Sequence, residues 1–359
     1  MSTYKEGDAI NNRYILKKFI GRGTYGEVWR AYDNILEQDF AIKLYVSLDD
    51  RGREEFTKEY KTAYGLHHPN LLTADHYDVW NNRPYLVMEF CENGASDKLV
   101  GNISETDLWR FIHDVASGLA YLHSLEPEPI IHQDIKPENV LINNSNSFVI
   151  SDFGISLNMR STMMKQSGRS SNMTGGAIAY MGPERFSSQP TPIKASDIWS
   201  LGASIYELAT GELPFCGLGG SMLKNGAEMP SLPPQWSDNL NRLVQACMAK
   251  DTWDRPTAQQ LADYADAQIK GVYVPDPVWL PVVGPIPTPA PDPIPTPAPD
   301  PIPPHPKKWW LIAPISVAAA LAVFFATAPS RSLKKAADEH YAAYQECYDS
   351  CYDQIARGD

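Results

Sequence analysis

The sequence predicts an α+β chain of two lobes, a small β-rich lobe with one helix and a larger, mainly α lobe. A proline-rich linker and one membrane-crossing helix follow. Three observations predict this. Early residues alternate with period 2 around a glycine-rich turn. Helical periodicity dominates from 104 to 124 and from 194 to 270. Between Pro275 and Pro306 nearly every second residue is proline, and an uncharged run follows at 309–328. The expected divisions are an N-terminal extension (1–13), a folded domain (14–270), a linker (271–308), a membrane helix (309–328) and a short tail (329–359).

Composition excludes several classes. A formal net charge of -12 argues against nucleic-acid binding, which needs clustered Lys and Arg. The five cysteines are scattered, apart from Cys347 and Cys351, so neither a zinc framework nor a disulfide scaffold is expected. The first residues carry charges and no apolar run, so no secretory signal is expected and the folded domain is placed in the cytoplasm.

The first element is the turn in "IGRGTYGEVWRAYD", with Gly21, Gly23 and Gly26 in the spacing GxGxxG after Ile20. Alone the pattern is weak, because a dinucleotide-binding turn has the same glycines. Such a turn opens into a helix, whereas here "EVWRAYD" is β-rich and runs toward the strand "FAIKLYV". Strands around a glycine turn make a flap whose backbone N–H groups can approach phosphates. In "FAIKLYV" alternation sets Phe40, Ile42, Leu44 and Val46 on one face and Ala41, Lys43 and Tyr45 on the other. A lysine facing the flap's cleft is suited to holding phosphate oxygens. A helix is expected at "REEFTKEYKTAYGL", with Phe56, Glu59, Ala63 and Leu66 on one face. A carboxylate on an apolar face needs a cation, and Lys43 is the expected partner of Glu59.

The next chemistry-bearing stretch is "IIHQDIKPENVLI", followed by "DFG" at 152–154, "AYMGPERF", "SDIWSLG" and "WDRPT". Together with the flap and its lysine, these resemble the eukaryotic-type (Hanks-type) Ser/Thr branch of the protein kinase family, in family order from residue 14 to about 268. The resemblance implies a bilobal kinase fold and transfer of the γ-phosphoryl group of ATP to Ser/Thr hydroxyls of protein substrates. It further implies that Lys43, paired with Glu59, orients the α- and β-phosphates. Val28, Ala41 and Leu141 would sandwich the adenine, with Met88 as gatekeeper and the backbone of Glu89 and Cys91 at its edge. Asp134 would take or orient the proton of the attacking hydroxyl, and Lys136 would neutralise charge at the γ-phosphate. Asn139 and Asp152 would hold Mg²⁺, with Mn²⁺ as a substitute. Glu184 would pair with Arg255, and Asp197 would brace the catalytic loop. His113 and His123 are read as packing residues.

Three positions depart from the family pattern. Gln133 stands where regulated kinases carry the Arg that grips a phosphorylated activation-segment residue, and an uncharged side chain cannot form that contact. Gly176-Ala177 lacks the Thr hydroxyl that would meet Asp134 and Lys136, unless nearby Thr174 supplies it, so lowered turnover or altered peptide acceptance is expected and Ala177→Thr should raise kcat/KM. Gly182 replaces the Ala of A-P-E. The activation segment is rich in hydroxyls, which makes autophosphorylation an expectation.

"PIPTPAPD" occurs twice in the linker, a composition that favours polyproline II and spans on the order of 100 Å if extended. "WWLIAPISVAAALAVFFATA" matches the ~20 apolar residues that cross a bilayer. The tail is then extracytoplasmic, where Cys347 and Cys351 could cross-link a homodimer. Other expected partners are protein substrates, ATP and the membrane. The competing readings are a pseudokinase that binds nucleotide and a membrane-tethered adaptor.

Overall fold

The computed structural model describes residues 4–22, 26–63, 65–152, 178–187 and 190–281, without the side chains of residues 58, 59, 62 and 63. Gly23, the activation segment 153–177, the linker beyond 281, the 309–328 run and the tail lie outside the described residues. No helix among the described residues is long and apolar enough to cross a membrane.

The first lobe is built on six antiparallel strands: β1 (Ala9–Ile10), β2 (Tyr14–Arg22), β3 (Gly26–Asp33), β4 (Gln38–Tyr45), β5 (Ala74–Trp80) and β6 (Arg83–Glu89). Their spatial order is β1-β2-β3-β4-β6-β5. The glycine turn lies between β2 and β3, and register shifts after Leu16 and Phe19 interrupt the β2–β3 ladder before it. Gly26 begins β3 where a Cβ would lie 2.1 Å from the Leu44 carbonyl oxygen, so no larger residue fits this close approach.

Alternation in β4 holds for Phe40, Ile42 and Leu44, which join one core with Tyr14, Leu16 and Trp29. Val46 departs from it. The strand ends at Tyr45, and Val46 packs instead with Tyr45, Leu48 and Phe56. Both faces of β4 are buried, Ala41 and Lys43 included. Helix α1 (Asp50–Ala63) starts earlier than the sequence predicts, with Gly52 N–H donating to Asp49 Oδ1 at 2.7 Å in its first turn. Phe56 is buried as expected, whereas Leu66 lies past the helix and packs against the second lobe's core.

The second lobe contains α2 (Glu105–Ser124), the hairpin of β7 (Val140–Ile142) and β8 (Phe148–Ile150), α3 (Lys194–Thr210), α4 (Asp238–Cys247) and α5 (Ala258–Lys270). Ser104 caps α2 by accepting Asp107 N–H at 3.1 Å, and Thr257 caps α5 through a reciprocal box with Gln260. Gly211 ends α3 in the left-handed conformation, φ 82°. Trp199, Phe111, Leu108 and Leu119 are sealed inside this lobe.

The described part of the expected linker does not leave the lobe at residue 271. Leu280 is buried in the second lobe's core, and Trp279 meets Tyr264 edge-on. Arg242 pairs with Asp276 and donates to the Pro281 carbonyl at 2.6 Å.

Candidate active site

Strand β3 faces β4 in a register that sets Val28 opposite Lys43, while Ala41 lies opposite Met88 of β6. Period-2 pleating thus brings Val28, Ala41 and Lys43 to one side of the sheet, under the flap formed by Ile20, Gly21 and Gly26. Ile20 is about half exposed there. Met88 and Cys91 form a small apolar cluster with Leu72 and Val149, against which Leu141 packs. The five side chains Val28, Ala41, Met88, Cys91 and Leu141 therefore come from both lobes and the segment joining them. Glu89 ends β6, and the connection then turns at Gly94 (φ 70°), whose N–H donates to Cys91 O at 3.0 Å. Burial, helped by Glu89, pushes the Cys91 thiol up to about 12, so it stays protonated.

Lys43 is buried and ion-paired with Asp152 just beyond β8, tying the two lobes together at this point. Its Nζ also lies 5.4 Å from the Tyr45 ring centroid. The sequence also pairs Lys43 with Glu59. Glu59 sits in α1, and its side chain is outside the described residues; Asp152 is a further partner, which periodicity within one element could not reveal.

The loop 131–139 carries Asp134, Lys136 and Asn139. Asn139 Nδ2 donates to the Asp134 carbonyl at 2.7 Å and to Asp134 Oδ2 at 2.8 Å. With its nitrogen committed, Asn139 keeps Oδ1 as an acceptor. Lys136 Nζ stands 3.4 Å from Asp134 Oδ1. Ser151 N–H and Oγ both donate to the Asn139 carbonyl, at 2.9 and 3.0 Å, which fixes Asn139 relative to the neighbouring Asp152. Asp152 itself adopts φ 62°.

Asp197, fully buried in the first turn of α3, holds the loop from below. Its Oδ1 accepts Gln133 N–H at 2.7 Å, and its Oδ2 accepts His132 N–H at 2.8 Å. His123 Nε2 also lies 2.9 Å from Oδ2, so this histidine is part of the brace and not merely packing. The sequence missed it because its partner is distant in the chain. His132 was missed as well; its Nε2 lies 2.8 Å from Ser151 O and links the loop to the strand leading to Asp152. Its place beside Gln133 was the available signal. The brace keeps Gln133 at φ 69°, a sparsely populated region for a non-glycine residue. The Gln133 side chain donates weakly to Ile131 O at 3.4 Å, and its Oε1 is buried without a partner among the described residues.

Nearby, the 3₁₀ turn Pro183–Phe186 is anchored by Glu184, which accepts from Arg255 at 3.2 and 2.8 Å. Burial alone would raise the Glu184 carboxyl; the hydrogen bond and charge of Arg255 hold it below its ordinary value. Arg255 also donates to Ala195 O at 2.8 Å, so the turn sits against the start of α3. Tyr180 bonds Glu207 of α3, and burial pushes both upward, with Glu138 among the charges acting on each.

These elements place Lys43, Asp134, Lys136, Asn139 and Asp152 in linked positions: a cation, a base-capable carboxylate and amide or carboxylate oxygens. Such a set can hold phosphate oxygens and orient a hydroxyl. Residues 14–265 match the family model described as the protein kinase domain. The chain is 28% identical over 280 residues to serine/threonine-protein kinase PrkC of Bacillus subtilis, covering 75% of this chain and 42% of that protein. It is 30% identical over 266 residues to serine/threonine-protein kinase dst1 of Dictyostelium discoideum, covering 72% and 35%. With mitogen-activated protein kinase kinase 7 of Arabidopsis thaliana the identity is 36% over 257 residues, covering 67% and 80%. The chain thus spans less than half the length of the first two relatives.

Proposed function

The chain belongs to the protein kinase family, and on that premise we propose that it is an ATP-dependent serine/threonine protein kinase. One observation carries the reading: Asn139 Nδ2 grips Asp134 at 2.8 Å while its carbonyl is tied to Ser151, beside the Asp152 that pairs with Lys43. Lysine two residues after Asp134 supports Ser/Thr hydroxyls as acceptors, in line with the names of the relatives above.

In this reading Lys43 holds phosphate oxygens of ATP, and Val28, Ala41 and Leu141 enclose the base beside Met88, Glu89 and Cys91. Asp134, positioned by Asn139, orients the substrate hydroxyl and receives its proton as the oxygen attacks phosphorus. Lys136, on the same carboxylate, offsets charge on the transferring group. Among the described residues no cluster of three His, Cys, Asp or Glu could cage a metal. Two oxygen donors, Asn139 Oδ1 and Asp152, nevertheless fit Mg²⁺, which takes few protein ligands and completes its shell with phosphates and water. When bound, Mg²⁺ neutralises phosphate charge.

We further place the chain at a membrane through residues 309–328, with the kinase domain cytoplasmic and the tail outside; carbonate extraction and protease protection of the intact protein test this. The kinase reading is tested by incubating the intact protein with γ-labelled ATP, Mg²⁺ and a protein acceptor. Label on phosphoserine or phosphothreonine is expected, and label no greater than that of Lys43→Met would contradict it.

A further inference from the structure

The turn between β7 and β8, residues 143–147, touches the segment that joins the lobes. It is tied down at both ends. Asn143 Oδ1 accepts Ser145 N–H and Ser147 N–H at 3.1 and 2.9 Å, and Arg110 of α2 donates to Asn146 O at 2.7 Å. From this base the Asn144 amide reaches the chain around Cys91. Its Nδ2 donates to Phe90 O and its Oδ1 accepts Glu92 N–H, both at 3.3 Å. Backbone groups have fixed polarity, so these partners leave one orientation for the amide. Beside it Asn93 Nδ2 donates to Asn143 O at 3.3 Å, and Ile142 N–H donates to Gly94 O at 2.8 Å. The first lobe holds the same segment through a side chain. Arg30 of β3, which donates to Asp39 Oδ2 at 2.6 Å, stands 4.8 Å from the Phe90 ring centroid.

A single bond of 3.3 Å is weak, and the grip comes from two on one planar group. Its consequence follows from peptide geometry. In a trans peptide the C=O and the N–H point in opposite directions. Phe90 O and Glu92 N–H both turn to Asn144, so Cys91 N–H and Cys91 O both turn away from it. Cys91 O accepts Gly94 N–H at 3.0 Å and closes the turn that follows. We propose that Asn144 is a positioning residue for base recognition: it sets the Cys91 N–H toward the adenine edge, with Arg30 steadying Phe90. The proposal rests on the nucleotide-binding part of the kinase reading. Adenine offers an acceptor, N1, at that edge, whereas guanine carries N1–H there. A fixed N–H therefore favours adenine and meets guanine donor to donor. Asn144 thus sets base selectivity as well as affinity, acting through the backbone of a neighbouring segment.

The test measures binding of ADP and of GDP with Mg²⁺ by calorimetry, on the full chain and its variants, with melting temperatures alongside. Wild type should prefer ADP. Asn144→Ala should raise the Kd for ADP at least fivefold and that for GDP less than twofold, so the preference narrows. Asn144→Gln, which keeps the amide on a longer stem, should recover part of the ADP affinity. Ser145→Ala, in the same turn, should match wild type. Equal weakening of ADP and GDP would mark a merely structural role and overturn the proposal. Unchanged ADP affinity in a folded Asn144→Ala, or a wild type that binds both nucleotides equally, would overturn it too. ADP binding needs no transfer, so a wild-type chain that binds ADP yet transfers no phosphate would strike the kinase reading alone.

Discussion

Replacing Asp197 with Ala tests how the second lobe holds the catalytic loop. The fully buried carboxylate accepts His132 N–H at 2.8 Å and Gln133 N–H at 2.7 Å and meets His123 Nε2 at 2.9 Å. Each buried donor left without its charged acceptor costs about 1–3 kcal/mol. The sum is roughly 3–9 kcal/mol, partly offset because a carboxylate no longer has to be desolvated, itself worth several kcal/mol. A net loss of about 3 kcal/mol is expected, which for a domain of this size lowers Tm by roughly 6–12 °C. Activity should suffer beyond the stability loss. Gln133 sits at φ 69°, a conformation costing on the order of 1–3 kcal/mol that the two backbone bonds to Asp197 offset. Released, Gln133 should relax and carry Asp134 out of place, lowering kcat more than it raises KM at a temperature where the variant is folded. Asp197→Asn keeps one acceptor oxygen and should lose less stability. Urea unfolding with steady-state kinetics is the assay. An Asp197→Ala protein melting within about 2 °C of wild type with unchanged kcat would refute the reasoning.

Leu280→Ala should destabilise the domain by about 2–5 kcal/mol, since the side chain is only 2% exposed. Ending the chain after Lys270 should act in the same direction, by removing both partners of Arg242; unchanged thermal melting in either case would contradict the packing described for 276–281. His113 bonds Asp114 at 2.9 Å, and this bond, opposed by burial, raises its imidazolium above the ordinary 6.5. Because the folded value is the higher one, the stabilisation is fully present below pH 6.5 and fades as pH rises through the folded value. The Tm gap between wild type and His113→Asn should therefore shrink on going from pH 6 to alkaline pH; a constant gap would remove the assignment. Ala177→Thr, at a position outside the described residues, should raise kcat/KM in a peptide-phosphorylation assay.

Much of the architecture was readable because local pattern and tertiary environment agree. Alternation around Lys43 survives in β4 since both faces of that strand are buried, and the cap at Ser104 stands where helical periodicity begins. Reading failed where partners are remote in sequence. The Lys43–Asp152 pair joins residues far apart, so no period within one element could show it. His123 looked like packing because Asp197, which engages it, belongs to another helix. "VPDPVWLP" reads as the start of a proline spacer, yet Leu280 and Trp279 supply apolar surface and Arg242 supplies the tie.

The most direct measurement compares phosphate transfer from ATP with Mg²⁺ by the intact protein and by its Asp134→Asn variant, at matched folding. Asp134 is the group assigned to the hydroxyl proton, and Asn139 donates to its carboxylate and carbonyl. Asn cannot take that proton, so incorporation into protein Ser/Thr should fall at least a hundredfold, the scale of a lost general base. Equal incorporation by the two proteins would contradict the account.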